Sequence, residues 1–174
     1  MIDYDESGRP VVPVGNSEPA PILLSEPARR YENEPALGFL IRARGPWGSV
    51  EISVETWGGD GLDVFLGSLA EDFRGWEGAR TWRSLCCDLT LSAEHPGGHV
   101  RLVWGIRDRA PSEEWRFEAT TWHATGEDMR NLTADIHTIF TNVAKWPPSW
   151  LLVAFQGCGS PTWPAPHRRR SSTA

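Results

Sequence analysis

The stretch from Trp57 to Ile106, WGGDGLDVFLGSLAEDFRGWEGARTWRSLCCDLTLSAEHPGGHVRLVWGI, constrains the fold more than any other part of the chain. Its second half fixes a strand register from two directions. A type I′ turn needs positive φ at both central residues, which glycine adopts without steric cost. Gly97-Gly98 therefore marks the tip of a hairpin running from Thr81 to Arg107. Leu89 then faces Ile106, Leu91 faces Trp104, Ala93 faces Leu102 and His95 faces Val100, all on one side. On the other side Asp88 faces Arg107 and Glu94 faces Arg101. A slip by one residue exposes the whole apolar set and parts both charge pairs, so the two faces agree on one register.

The first half of the stretch reads as an amphipathic helix. Leu62, Phe65, Leu66, Leu69 and Phe73 recur at helical spacing and form one apolar stripe. Asp60 is placed as the N-cap, Asp63 sits in the first turn where the helix dipole favours a negative charge, and Gly75 supplies the stop. Trp76 is then free to fold back on the last turn.

Similar patterns lie on both sides. Upstream, Leu37–Arg44 and Ser49–Trp57 are strand-like runs joined by Gly45-Pro46-Trp47-Gly48, with Val50, Ile52, Val54 and Thr56 on one face. Downstream, Trp115–His123 alternates with Trp115, Phe117, Ala119 and Thr121 on one face. Thr125 is expected to cap a second helix whose stripe is Met129, Leu132, Ile136, Ile139, Phe140 and Val143. The order β-β-α-β-β-β-α predicts an α+β domain over residues 36–145. It consists of a largely antiparallel sheet of about five to six strands with both helices on one face.

The flanking segments differ in kind. Residues 1–35 carry six prolines, which lack a backbone donor and interrupt regular structure, so this segment is expected to be extended. Val11–Val14 and Ile22–Ser25 are its only candidates for a sheet edge. Residues 146–174 hold five Pro, three Trp and Arg168–Arg170 with no acid. So abrupt a change is expected of an irregular tail or of a frameshifted end of a GC-rich gene, and a partner-docking tail is the alternative.

The formal charge of −6 excludes a nucleic-acid phosphate or an anionic lipid surface as the expected partner, and a basic protein is the natural complement. Arg supplies all but one of the basic residues, the exception being Lys145, a bias expected of a GC-rich bacterial genome. The acidic N-terminus lacks the apolar run of a signal peptide, and no apolar run is long enough to cross a membrane as a helix, so a cytoplasmic location is expected.

Chemistry-bearing residues are scattered. His95 and His99 bracket the glycine turn but are expected on opposite sides of the sheet, which opposes a shared metal; no cofactor is expected. Cys86 and Cys87 are consecutive in what reads as a strand, so their side chains diverge, Cys87 inward and Cys86 outward. No nucleotide-binding, metalloprotease or hydrolase motif is present. Of the ten tryptophans, Trp57 and Trp122 fall on the polar parity of their strands and are candidates for a binding platform.

The run FRGWEGARTWRSLCCDLTL, with WGGDGLDVFL before it and HVRLVWGIR and WRFEATTW after it, resembles a family of small actinobacterial proteins catalogued as a domain of unknown function. The resemblance covers about residues 35 to 143 and implies no activity, ligand or catalytic residue. What the fold leaves unexplained is a cluster at the turn from helix to hairpin: Arg74, Trp76, Glu77, Arg80 and Trp82. These are the candidate binding residues. The expected function is a non-enzymatic binding or regulatory protein, immunity-like, that meets its partner through an acidic surface. A small enzyme with an Arg/Glu/Trp site at that turn, and a structural accessory domain, are the alternatives.

Overall fold

The computed structural model describes residues 2–6, 8–29, 35–46, 48–108, 114–141 and 143. The fold is α+β, but it is built on two antiparallel sheets rather than one. The first holds β1 (Asp3–Tyr4), β2 (Pro10–Val14), β3 (Ile22–Arg29), β4 (Ala36–Gly45) and β5 (Gly48–Trp57) in chain order. The second holds β6 (Arg80–Arg83), β7 (Leu89–Glu94), β8 (His99–Arg107) and β9 (Arg116–Ala124), again in chain order. Helix α1 (Leu62–Glu71) connects the sheets, and α2 (Glu127–Thr141) follows the second.

The hairpin register derived from the sequence is the one observed. Leu89 pairs with Ile106, Leu91 with Trp104, Ala93 with Leu102 and Glu94 with Arg101. Gly97 and Gly98 have φ of 59° and 83°, and Glu94 and Arg101 form an ion pair of 2.6 Å on the outer face. Pairing ends at Glu94, so His95 belongs to the turn and not to the strand.

The ascending arm differs from the expectation. Residues 84–88 form a turn, and β6 folds back on β7, with Arg80 opposite Ala93 and Arg83 opposite Thr90. Buried Ser84 and Asp88 close this turn: the Ser84 hydroxyl donates to the Asp88 carboxylate at 2.6 Å and accepts from the Leu89 amide at 3.1 Å. Cys86 and Cys87 therefore lie in a turn, with Cys87 at φ 56°, and the strand alternation expected of them does not apply. Polar residues that bond their neighbours' backbone outweigh the β-propensity around them here.

The N-terminal segment contributes more than edge strands. Val12 and Val14 in β2 and Ile22 and Leu24 in β3 are fully buried, and β3 lies between β2 and β4. The prolines are placed where the ladder tolerates them. Pro27 falls in a bulge between Ser25 and Ala28, and Pro13 lies beyond the reach of the two-residue β1. The β4–β5 ladder runs from Ala36↔Trp57 to Gly45↔Gly48, which shortens the expected four-residue connection to two.

One apolar cluster draws on both sheets and both helices. Leu62, Leu66 and Leu69 of α1 enter it with Met129, Leu132, Ile136, Ile139 and Phe140 of α2. They meet Phe39 and Ile41 from the first sheet and Leu91, Leu102 and Trp104 from the second. Phe73, placed on the α1 stripe by periodicity, lies past the helix end and is 48% exposed. Thr125 does not cap α2. Its hydroxyl donates to the Gly98 carbonyl, while Asp128 reaches back to accept from the Ala124 amide at 3.1 Å. The irregular 146–174 segment lies outside the described residues.

The inner face of the second sheet contains a polar chain. The Trp104 indole N–H donates to Thr121 Oγ1 at 3.0 Å, and Thr121 Oγ1 lies 3.0 Å from His123 Nε2. All three residues are buried. The hydroxyl has one proton and two lone pairs, so it accepts from the indole and either donates to Nε2 or accepts from it, according to the His123 tautomer. Burial pushes the His123 pKa down, against a smaller upward pull from Asp128. The unfolded chain thus binds more protons than the native one below the ordinary histidine pKa. The stability carried by neutral His123 is complete above about pH 6.5 and is lost as pH falls from there through the depressed native value. Urea unfolding followed across this range checks it: His123→Gln is expected to flatten the acid side of the profile. Thr121→Val is expected to cost about 1–3 kcal/mol at neutral pH by stranding the Trp104 N–H.

Candidate functional site

The segment Trp57-Gly58-Gly59-Asp60-Gly61 is the joint between the sheets. Gly58, Gly59, Asp60 and Gly61 all have positive φ, so the chain makes a tight reversal that side chains resist. A Cβ on Gly59 would sit 2.9 Å from the Phe140 ring, so glycine is also required for α2 to pack here. Asp60 is not the cap of α1, whose N-cap is Gly61. Its carboxylate instead accepts from the Trp57 amide at 2.8 Å and from the Leu85 amide at 2.6 Å. Its carbonyl accepts the Trp82 indole N–H at 2.8 Å. One residue thus ties the end of β5 to β6 and to the β6–β7 turn.

The five candidate residues occupy the surface around this joint without converging on one recess. Trp82 is half-buried and engaged with Asp60. Trp76 packs edge-on against His95, with ring centroids 5.1 Å apart, and the Arg80 guanidinium lies 4.8 Å above the Trp76 ring. Arg80 also pairs with Asp72 at 2.6 Å. Arg74 stacks over its neighbour Phe73 at 5.7 Å, and Glu77 is exposed. Gly75 lets His95 approach, since a Cβ there would come within 3.0 Å of His95 Nδ1. Two buried ring nitrogens, Trp76 Nε1 and His95 Nε2, have no hydrogen-bond partner among the described residues. Trp57 and Trp122 are 57% and 48% exposed, as their parity implies, but they stand on different sheets and form no shared platform.

A recess of about 410 Å³ lies on the outer face of the second sheet. Its floor follows from the register. Arg83, Thr90, Gly105 and Glu118 form one row across four strands, and Thr81, Ser92 and Val103 form the next. Gly105 lets the Thr90 hydroxyl cross the floor: a Cβ there would stand 2.4 Å from Thr90 Oγ1, whose hydroxyl donates to the Gly105 carbonyl at 3.3 Å. Arg116 leans over this spot, 3.9 Å from the same position, and bonds Glu118. Trp82 alone of the five candidates lines this groove. Arg83, Thr90, Ser92 and Arg116 give no signal in the sequence, because polar residues at alternate strand positions read as ordinary solvated surface. Only the cross-strand row, visible once the ladder is known, reveals that they share a recess. A second recess of about 270 Å³ lies between Ile52 and Ser53 of β5 and Asp88, Arg107, Asp108 and Trp115.

Among the described residues, no three His, Cys, Asp or Glu side chains are grouped to hold a metal ion, and no helix is long and apolar enough to cross a membrane. Residues 15–143 match the model of the Family of unknown function (DUF6228). The chain belongs to that family. The match begins at the end of β2, so the family's fold includes the N-terminal strand β3 as well as everything from β4 to α2. No curated protein matches the chain, and no solved structure does.

Asp60 is the residue here whose removal has the clearest consequence. Asn offers one acceptor oxygen where the carboxylate serves two amides, so Asp60→Asn is expected to cost about 1–3 kcal/mol, read from the urea midpoint at neutral pH. Burial, opposed by the two amides and reinforced by the charge of Asp88, holds the Asp60 pKa above the usual aspartate value. The native state therefore keeps its proton longer than the unfolded chain. The titration's contribution is present in acid and is lost as pH rises through the native pKa. The gap between wild type and Asp60→Asn should accordingly be wider in acid than at neutrality, and a gap that widens with rising pH would refute the assignment.

Proposed function

We propose that this protein is a non-enzymatic binding domain whose ligand sits in the groove on the outer face of the second sheet. The observation that carries this reading is the Gly105 floor flanked by Arg83, Thr90, Ser92 and Arg116. A concave recess of about 410 Å³, with a few placed polar groups on a rigid support, has the size and make-up of a small-molecule site. The support is rigid because the inner side of the same strands is fully packed core. Trp82 lines the groove and donates its indole N–H to the Asp60 carbonyl, which links the groove to the joint between the sheets.

A second reading is favoured by the helices. Glu71 in the last turn of α1 and Glu127 and Asp128 at the start of α2 are exposed, which suits a basic protein partner. The two readings predict different footprints. In 1H-15N spectra of the full chain screened against a fragment library, shifts are expected to cluster on Thr81, Ser92, Val103 and Gly105. Hits that cluster away from these residues would overturn the groove reading. Shifts on Glu71, Glu127 and Asp128 produced by an oligolysine peptide would support the second.

A further inference from the structure

We infer that the ligand of this groove is a small oxyanion, bound through a carboxylate or phosphate group between Arg83 and Arg116; this rests on the groove being the binding site. The first support is charge. The chain as a whole carries −6, yet the groove lining holds two guanidiniums against the single carboxylate of Glu118. Arg116 is matched by Glu118. Arg83 is exposed and has no ion-pair partner among the described residues, so one positive charge at the rim is uncompensated.

Geometry supplies the second support. Arg83 opens the row that continues through Thr90 and Gly105 to Glu118. Adjacent strands lie about 4.8 Å apart, so Gly105 is roughly 10 Å from Arg83 across the sheet. An extended arginine spans much of that distance, and Arg116 already leans over Gly105 from the far side. Both guanidiniums can therefore address one group seated on the Thr90 hydroxyl that fills the space over Gly105. Each presents several N–H donors in a planar fork, and Arg116 spends one of its nitrogens on Glu118. The Thr81 and Ser92 hydroxyls of the neighbouring row are the donors available to the rest of the ligand, whereas Thr90 already donates to Gly105. Nucleic acid is a poor occupant, because the acidic body around the groove repels a polyphosphate chain.

Titration calorimetry of the full chain at low salt, with citrate and with pyrophosphate as separate probes, tests this. Saturable binding is expected for at least one, and the preferred probe tells carboxylate from phosphate. Arg83→Gln and Arg116→Gln are each expected to weaken it about tenfold or more, with circular dichroism unchanged. Binding that is indifferent to Arg83→Gln would overturn the placement. No heat from either probe at about 10 mM, weaker than any useful recognition, would overturn the oxyanion. The groove reading then stands or falls separately, by whether neutral fragments still shift Thr81, Ser92 and Gly105.

Discussion

The polar link at the joint between the two sheets runs through a single acidic residue. Asp60 accepts the amide of Trp57 on one carboxylate oxygen and that of Leu85 on the other, and its carbonyl takes the indole of Trp82. Its three partners come from the end of β5, the β6–β7 turn and β6 itself. A neutral side chain of the same length has too few acceptors for this, and the backbone here turns through φ 49° between glycines. The arrangement also has a cost, since partial burial disfavours the charge more than the two amides favour it. Gly59 completes the joint by letting Phe140 of α2 close over it, where that ring packs 5.3 Å from Phe39 of β4.

What the sequence made legible was whatever depends on periodicity over neighbouring residues. The hairpin register could be read because apolar pairs and charge pairs constrain it independently, and the Glu94–Arg101 bond shows both operating. The α2 stripe could be read because five of its six members are buried in one core and the sixth, Val143, packs against it. Asp60 illustrates the limit. An aspartate just before an apolar helix has the local look of an N-cap, and its actual partner Leu85 lies 25 residues away. No local rule distinguishes those two uses of the same carboxylate. The separate strand β6 was hidden for a related reason. Thr81–Leu89 alternates well enough for one long strand, and only the Ser84–Asp88 bond, which favours a turn, breaks it.

Prolines misled in the opposite direction. Six of them in the first 35 residues argue against a central strand, and the general rule is sound. The fold satisfies the rule residue by residue: it puts Pro27 in a bulge and ends β1 before Pro13. The segment therefore keeps Ile22 and Leu24 in the core, and a strand rich in proline at its bends is still a strand at its centre.

The candidate site shows how one sheet serves two purposes. On its inner side the second sheet carries Leu91, Leu102, Trp104 and the Trp104–Thr121–His123 chain, all buried, which leaves those strands little freedom to shift. On its outer side the same strands present Thr90, Gly105 and Arg116 at the alternate positions. Since neighbours along a strand point to opposite faces, Trp104 and Gly105 are bound to one another's placement. The largest buried side chain of the inner face therefore fixes the one outer position that has no side chain at all. A groove built this way inherits its shape from the core, and Leu91, which belongs to the core and also lines the groove, joins the two directly.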